Sequence, residues 1–438
     1  MKRTFIGSIF GRAHGSDAVV AKVQGFVEAI RDQKRMVFFT VRDPSGIIQV
    51  VHDKKEGAVE LTQTLAKLTE GSAVTVIGRV AENPQVKLGG AEIVASAVQI
   101  ESRAESPLPI NAESSLEKQM DWRAISLRRP DTLLIFKVQT MLERAMREFW
   151  EEEGFLEIHS PKLLATASES GAELFTLPYF GGSACLAQSP QFYKQMAMAA
   201  GFDRVFEIGP VFRANPSFTS RHDTEFTSVD MEFSWIKSHE DVMKLEEQWL
   251  RYLLERMKAT YGDDIKSLFG VDVVEPSLPF PRITLSEARD VLAGYDHVIS
   301  HKADLDPQGE RLLAKYAQEK FGHEFIFVTE YPTSVRPFYH MRPDNDGSVT
   351  KSFDLLWKGL EITTGAQREH RYDILIEQAK EKGVALEPLQ DYFNFFRYGC
   401  PPHGGAGIGL TRLLMVLLGK NNVREVTYLY RGPNRLRP

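Results

Sequence analysis

Segment 206–235 contains three potential cations within ten residues. Arg213 lies on the first of two strand-like runs, and Arg221 and His222 lie in the polar loop that joins them. The returning run alternates in polarity, which predicts a half-buried strand. One face carries Val229, Met231, Phe233 and Trp235, and the other Phe226, Ser228, Asp230, Glu232 and Ser234. Cations backed by an aromatic and acidic strand suit a polyphosphate nucleotide. A hairpin with a solvated charged tip is the alternative, with equal weight.

A second candidate for ligand binding is the glycine-spaced run GGAGIGLTRLLM near the C-terminus. Gly405, Gly407 and Gly409 alternate, so one face of this strand lacks side chains and a ligand or backbone can approach it closely. Arg412 follows in the first turn of a predicted helix. The run is neither a dinucleotide fingerprint nor a P-loop. Tight sheet packing is the alternative explanation.

Oxygen ligands cluster in the segment 354–371. Asp354 and Glu361 lie on strand-like runs, and carboxylates suit Mg²⁺ bound together with nucleotide phosphates; Thr364 adds a hydroxyl. Arg368 follows, and its planar guanidinium is able to hold a substrate carboxylate through two hydrogen bonds. An ordinary surface arginine is the alternative.

Two upstream stretches carry further polar groups. Glu169 lies in a small-residue loop, 167–171, that suits the capture of an ammonium group. The run LAQSPQFYKQ then contributes Ser189, Gln191 and Lys194.

The elements that must position these residues form two domains. Residues 1–104 contain five β-rich runs with one helical piece, about 58–68, after the third, which predicts an OB barrel. Such barrels bind single-stranded nucleic acid by stacking bases on aromatic side chains. Phe38 and Phe39 are adjacent in one strand and point to opposite faces. One is free to stack unless both are buried in different layers.

The rest of the chain is predicted to be α+β with a largely antiparallel sheet. Residues 105–131 indicate a hinge or linker, because they contain Pro107, Pro109 and many polar residues. Residues 132–438 form the second domain, with helices at 132–154 and 239–261, a strand at 155–160, and an insertion at 262–325.

The composition restricts the class of protein. The chain has 438 residues, a net charge of -6 and two cysteines. Bulk electrostatic binding of nucleic acid, a disulfide framework and a structural zinc site are therefore disfavoured. The few cysteines and the lack of an apolar leader indicate the cytoplasm. No run approaches a membrane span.

Taken together, these stretches resemble class II aminoacyl-tRNA synthetases of the aspartate, asparagine and lysine subgroup. Among these, the chain is most similar to aspartyl-tRNA synthetases of the archaeal and eukaryotic type. The first helix with GFLEIHSPKL is similar to motif 1, VFEIGPVFRA…RHDTEF to motif 2, and GGAGIGLTRLLM to motif 3. The subgroup strings LAQSPQFYKQ and TTGAQREHR add to the resemblance, which covers essentially the whole chain.

The resemblance implies a role for each candidate. Catalysis is assigned to Arg213, Arg412 and Glu361, and Mg²⁺ to Asp354, Glu361 and Thr364. ATP binding is assigned to Arg213, Asn215, Arg221, His222, Asp223, Phe226, Glu361, Gly409 and Arg412. Aspartate binding is assigned to Glu169, Ser189, Gln191, Lys194, Arg213, Asp230, Thr364 and Arg368. Contacts to the tRNA anticodon are assigned to Arg31, Phe38, Gln49 and Lys87.

The implied activity is ATP-dependent aspartylation of tRNA(Asp) through an aspartyl-adenylate, by a cytoplasmic homodimer. Two cations facing the substrate side chain, Lys194 and Arg368, favour aspartate over asparagine. Glu28 lies where forms strict for one anticodon carry an aromatic residue, so charging of tRNA(Asn), with an amidotransferase partner, stays open. The alternatives are an asparaginyl enzyme, an asparagine synthetase paralogue, and a non-catalytic RNA-binding paralogue. The last alternative predicts the loss of Arg213, Glu361 or Arg412, all of which are present, and only Asn215, in place of the family's glutamate, keeps it open.

Overall fold

The computed structural model describes residues 1–10, 19–166, 173–301 and 303–437. The chain divides into two compact units, Met1–Pro130 and Asp131–Pro438. Each unit has its own hydrophobic core, and each is described by itself.

The first unit is built on a closed five-stranded barrel, which confirms the predicted fold. The strands follow each other in the order β1-β2-β3-β5-β4, and β4 pairs with β1. They are β1 (Val20–Asp32), β2 (Met36–Asp43), β3 (Gly46–Asp53), β4 (Ala73–Glu82) and β5 (Ala91–Ser102). The helices are α1 (Gly7–Phe10), α2 (Val59–Leu65), α3 (Leu116–Asp121) and α4 (Arg123–Ser126).

Alternation of apolar residues explains the barrel. Burial along β2 alternates residue by residue, so Phe39 is buried in the core while Phe38 stays partly exposed. Helix α2 covers one end of this core with Leu61 and Leu65. The segment expected to be a linker contains α3 and α4, and Ser115 caps α3 by accepting a hydrogen bond from the Lys118 amide.

The second unit is an α+β layer structure around a largely antiparallel sheet. Its eight strands follow the order β12-β13-β14-β15-β16-β11-β10-β6, and only the β12–β13 and β10–β6 pairs are parallel. They are β6 (Leu156–Glu157), β10 (Arg204–Phe212), β11 (Glu225–Ser234), β12 (Arg282–Thr284), β13 (Phe325–Thr329), β14 (Ser352–Trp357), β15 (Leu360–Gln367) and β16 (His403–Gly409). A smaller sheet contains β7 (Leu163–Leu164), β8 (Thr176–Tyr179) and β9 (Gly182–Leu186).

Helices surround this sheet. They are α5 (Pro130–Glu152), α6 (Gln191–Ala199), α7 (His239–Phe269), α8 (Leu285–Ala293), α9 (Pro307–Phe321), α10 (Tyr372–Glu381), α11 (Gln390–Arg397), α12 (Leu410–Leu417) and α13 (Val423–Val426). A 3-10 turn, Glu387–Leu389, precedes α11. None of the helices in the described part of the chain is long and apolar enough to cross a membrane.

Two of the predicted elements differ in length from those observed. Helix α7 continues to Phe269, eight residues beyond the predicted end, because Gly270 in the left-handed conformation is the residue that ends it. The strand predicted at 155–160 is reduced to Leu156–Glu157. Its parallel pairing with β10 involves only those two residues.

The prediction that β11 is half-buried, with Trp235 on its buried face, is wrong. Asp230, Glu232 and Ser234 on the face expected to be open are all buried, with Glu232 fully inaccessible. Trp235 lies past the strand end with φ of 62°, is 69% exposed, and donates a hydrogen bond from its indole nitrogen to Asp203. The left-handed residue breaks the alternation. Sequence periodicity does not show that other elements cover the polar face.

Candidate active site

The central strands of the large sheet bring the predicted site residues into one row. In the register of β11, β16, β15 and β14, Asp230 pairs with Gly407, Gly407 with Thr364, and Thr364 with Asp354. Directly paired residues face the same side of a sheet. Residues from four strands therefore share one floor, although they are distant in sequence.

A cavity of about 360 Å³ opens above this floor. Among the predicted site residues it is lined by Ser189, Gln191, Arg213, Asn215, Arg221, His222, Asp223, Phe226, Asp230, Glu361, Thr364, Arg368, Gly409 and Arg412. Lys194 and Asp354 lie behind this lining, since both are buried and contact lining residues. Glu169 lies outside the described residues.

At one end of the cavity lie an aromatic ring and two guanidinium groups. The Arg213 guanidinium is 5.5 Å from the centroid of the Phe226 ring. Arg412 lines the same cavity and is held by Glu361, through a hydrogen bond from Nη1 to its carbonyl oxygen at 3.1 Å and an ion pair to Oε1 at 3.4 Å. An aromatic ring together with two guanidinium groups suits a purine ring and its phosphates.

Two titratable groups next to this end have shifted pKa values. Burial raises the pKa of Asp223 to about 7, although Arg412 and a hydrogen bond from the Thr411 hydroxyl lower it. Burial and the charge of Arg412 lower the pKa of His222 below its ordinary value. Burial and nearby cations thus keep His222 neutral near pH 7.

At the other end lies a buried cluster of four charged residues. Lys194 Nζ donates to Asp230 Oδ1 at 2.8 Å and lies 3.6 Å from Glu232 Oε2. Arg368 donates to both Glu232 oxygens, from Nε at 2.9 Å and from Nη2 at 3.2 Å, and to the Gly405 carbonyl at 3.0 Å. All four side chains are at most 5% exposed.

This cluster corrects the charge argument made from the sequence. Arg368 lines this end of the cavity and Lys194 lies behind the lining, but each is already paired with a carboxylate of the protein. With all four groups ionised, the cluster is neutral. A preference for a substrate carboxylate therefore does not follow from counting two cations.

His340 completes the cluster and was not predicted. Arg368 Nη1 donates to His340 Nε2 at 3.1 Å. Because arginine only donates, Nε2 accepts and the imidazole proton lies on Nδ1. Burial and the charge of Arg368 hold the pKa of His340 well below its ordinary value, so it stays neutral. Its Nδ1 is buried without a hydrogen-bond partner among residues 1–10, 19–166, 173–301 and 303–437.

The predicted metal ligands lie close together but differ in their hydrogen-bond partners. Thr364 Oγ1 donates to Glu361 Oε1 at 3.2 Å. Asp354 Oδ2 accepts from Arg336 Nη2 at 2.5 Å, and its Oδ1 is buried without a hydrogen-bond partner within the described chain. Burial and the nearby Asp354 raise the pKa of Glu361, against a lowering by Arg412. No described group of three or more His, Cys, Asp or Glu side chains is arranged to hold a metal by itself.

Both explanations of the glycine alternation apply, each at a different residue. A Cβ at Gly405 would collide with the Met231 carbonyl oxygen and the Glu232 carboxylate, so this glycine serves sheet packing. Gly407 and Gly409 line the cavity instead. At Gly409 the nearest atoms to an added Cβ belong to the flexible Arg412 side chain, 3.6 Å away.

On the barrel, the strand register places three of the four predicted anticodon contacts on one face. Arg31 pairs with Phe38, and Gln49 pairs with Thr40, which lies two residues from Phe38 on the same face. Gln49 is held by a hydrogen bond from Nε2 to Glu92 Oε2 at 2.7 Å. Lys87 is exposed in the β4–β5 loop, and Glu28 forms an ion pair with Arg42.

A family profile described as tRNA synthetases class II (D, K and N) matches residues 115–431, nearly three quarters of the chain. The chain belongs to this family. A second profile, an OB-fold nucleic acid binding domain, matches residues 21–101 of the synthetase. The match covers the five barrel strands.

Relatives of this synthetase span its whole length. It is 43% identical to an aspartate–tRNA(Asp) ligase of Pyrococcus abyssi, over 95% of this chain and 96% of the relative. It is 41% identical to an aspartate–tRNA(Asp/Asn) ligase of Aeropyrum pernix, over all of both chains. Its fold matches that of an asparaginyl-tRNA synthetase from Pyrococcus horikoshii with a TM-score of 0.91, 31% identity and full coverage of both chains.

Several residues of the synthetase site were missed from the sequence. They are Glu173, Ser228, Arg336, Pro337, Tyr339, His340, Ile362 and Thr411 as lining residues, and Glu232 and Glu310 as charged partners. Arg336 and His340 lie in a proline-containing connection between β13 and β14, where no alternation of apolar and polar residues identifies a binding residue. Only their proximity to Asp354 and Arg368 identifies them.

Proposed function

We propose that this synthetase activates L-aspartate with ATP to an aspartyl-adenylate and transfers the aspartyl group to the 3′ end of tRNA(Asp). The observation that carries the proposal is one cavity with Arg213 over the Phe226 ring at one end and the buried Lys194 and Arg368 at the other. The names and high identity of the archaeal ligases support aspartate as the amino acid.

At the nucleotide end, we assign Phe226 to stack on adenine, with Arg412 closing the opposite side. Arg213 would hold the α-phosphate and stabilise the charge that develops on it during attack by the aspartate carboxylate. Asn215, Arg221, His222, Asp223 and Gly409 would contact the rest of ATP. Such a reaction needs positioning and charge stabilisation rather than a protein nucleophile.

At the amino-acid end, Asp230, Ser189 and Gln191, with Glu169 and Thr364, would surround the ammonium and backbone groups. Lys194 and Arg368 would bind the side-chain carboxylate. Arg368 is fixed by the bidentate pair with Glu232, so it presents a defined edge to the substrate. His340 would add its Nδ1–H, a buried donor that has no described partner.

The residues present fit a magnesium ion. Mg²⁺ in phosphate-transfer sites is held by one or two carboxylates and by substrate phosphates, and here Asp354 lies close enough to Glu361 to contribute to raising the pKa of Glu361. A second sign is Asp354 Oδ1, which is buried and has no hydrogen-bond partner in the described part of the chain. Glu361, Asp354 and Thr364 would hold the ion, whose chemistry is to neutralise charge on the phosphates.

The wider setting also belongs to the proposal. The barrel would read the anticodon through Arg31, Phe38, Gln49 and Lys87. The proposal also includes a homodimer assembled through α5 and the segment after it, and action in the cytoplasm. If tRNA(Asn) is charged, it includes an amidotransferase partner as well. The domain boundaries at 104 and 131, and the insertion at 262–325, are proposed with it.

The test is aminoacylation of tRNA(Asp) and tRNA(Asn) transcripts with labelled aspartate, with labelled asparagine as the control. Charging of tRNA(Asp) with aspartate is the expected result. Equal charging of both transcripts would identify a relaxed enzyme that supplies an amidation step. Charging with asparagine would identify an asparaginyl enzyme, and no charging at all would favour the RNA-binding paralogue.

A further inference from the structure

The phosphate-facing loop of the cavity is tied to helix α9 by one ion pair. Arg221 Nη1 donates to both oxygens of Glu310, at 3.1 and 2.9 Å. Arg221 lines the cavity, whereas Glu310 is only 6% exposed and burial raises its pKa. A cation that lines the cavity is thus held by a nearly buried carboxylate.

The same carboxylate contacts the floor of the cavity. The Glu361 amide donates to Glu310 Oε2 at 3.2 Å, and Glu361 is the residue that holds Arg412. Glu310 therefore joins two groups that we assign to ATP, one on the loop before β11 and one on β15. Both contacts converge on a side chain that does not itself line the cavity.

Helix α9 is a rigid support for this carboxylate. Asp306 caps its N-terminus by accepting from the Gly309 amide at 2.7 Å, and Glu310 lies in the first turn. Leu313 and Ala317 are fully buried against β13 and its neighbours. The helix dipole also favours a negative charge at this end. These features fix Glu310 in place before any ligand binds.

We propose that Glu310 is a positioning residue for the nucleotide, acting through Arg221. Glu310 accepts hydrogen bonds only from Nη1 of Arg221. Nε and Nη2 of Arg221 have no hydrogen-bond partner among the described residues, so both are available for an outer phosphate of ATP. Preorganising a flexible arginine lowers the cost of ordering it when ATP binds. The inference rests on the proposed function and gives the segment before β13 a role in nucleotide binding.

The test is Glu310→Gln, which keeps the shape and an oxygen able to accept from the Glu361 amide, but removes the charge that holds Arg221. We expect the KM for ATP in aspartate-dependent pyrophosphate exchange to rise roughly tenfold, the usual scale of a lost charge-assisted hydrogen bond. The KM for aspartate should stay within about twofold. Glu319→Gln, on an exposed part of the same helix, is the matched control.

Two further variants distinguish positioning from a purely structural role. In an Arg221→Ala background, Glu310→Gln should cause no additional rise in the KM for ATP. Arg221→Lys keeps the charge but not the branched head group, and should raise the KM for ATP as Glu310→Gln does. Additive effects, equal rises in both KM values, or an unchanged KM for ATP would each overturn the inference.

A separate readout keeps the inference independent of the reaction. Equilibrium binding of ATP alone to the folded Glu310→Gln protein should weaken by the same factor. A lack of aspartate-dependent pyrophosphate exchange in the wild-type protein would count against the proposed function. Normal wild-type exchange with unchanged ATP binding in Glu310→Gln would count against the role of Glu310 only.

Discussion

At the scale of single residues, the candidate site depends on ionic pairs inside the protein as much as on groups that face a ligand. Lys194, Arg221, Arg336 and Arg368 each contact a carboxylate of the chain. Such pairs orient a cation precisely, because each partner is itself buried and hydrogen-bonded. They also couple substrate binding to stability.

Arg368→Ala should abolish aspartate activation while leaving tRNA binding nearly intact. The structure adds a second effect, because Glu232 is fully inaccessible and would lose its bidentate partner. Breaking a buried pair costs about 3–5 kcal/mol of unfolding free energy. Pyrophosphate exchange, filter binding of tRNA and chemical denaturation measure the three quantities.

A double variant separates the two effects of removing Arg368. Arg368→Gln with Glu232→Gln removes both charges, so most of the stability should return while exchange stays lost. Unchanged aspartate-dependent exchange in the single or the double variant would contradict the assigned role.

At the scale of elements, strand β16 and helix α7, which contacts it, each carry a residue whose substitution has a definite expected effect. Gly405 allows close contact with β11, whereas Gly409 allows a ligand to approach. Helix α7 contacts β15 and β16 and carries the fully buried Glu246.

The glycines of β16 should respond differently to substitution. Gly405→Ala should destabilise the protein by roughly 1–3 kcal/mol or more, because the new methyl group overlaps the Met231 carbonyl. Gly409→Ala should fold normally and raise the KM for ATP, since it projects into the cavity. Thermal unfolding and pyrophosphate exchange on both variants check this; equal unfolding temperatures would contradict it.

Glu246 predicts a pH dependence of stability. Burial raises its pKa from 4.5 to about 8, against a smaller lowering by Thr363. Between these two values the folded state holds a proton that the unfolded state has released, so stability falls as pH rises. Glu246→Gln should therefore stabilise the protein by on the order of 4 kcal/mol at pH 8 and by less than about 1 kcal/mol at pH 5.

The measurement is urea denaturation of both proteins at the two pH values, with the exposed Glu255→Gln on the same helix as control. A gain that is equal at pH 5 and pH 8 would show that Glu246 is ionised in the folded protein.

At the scale of the whole molecule, the cavity and the predicted anticodon contacts lie in separate compact units. Phe38→Ala removes a partly exposed ring from the barrel face, and loss of one stacked base costs about 1–3 kcal/mol. We expect the KM for tRNA(Asp) to rise at least severalfold while pyrophosphate exchange is unchanged. Phe39→Ala, one residue on, should instead destabilise the barrel core. Equal effects of the two variants on tRNA charging would contradict the stacking role.

The sequence alone determined the barrel, the antiparallel sheet and most of the cavity lining, because these follow from local alternation and from short motifs with their own geometry. Arg213, Phe226, Glu361 and Arg412 were identified in this way. Only the tertiary structure decided how their charges are paired. Glu232 and Arg368 are 136 residues apart, and Arg221 and Glu310 are 89 apart. A buried ion pair leaves no local pattern, since its stability depends on desolvation and distance, which exist only in the folded chain.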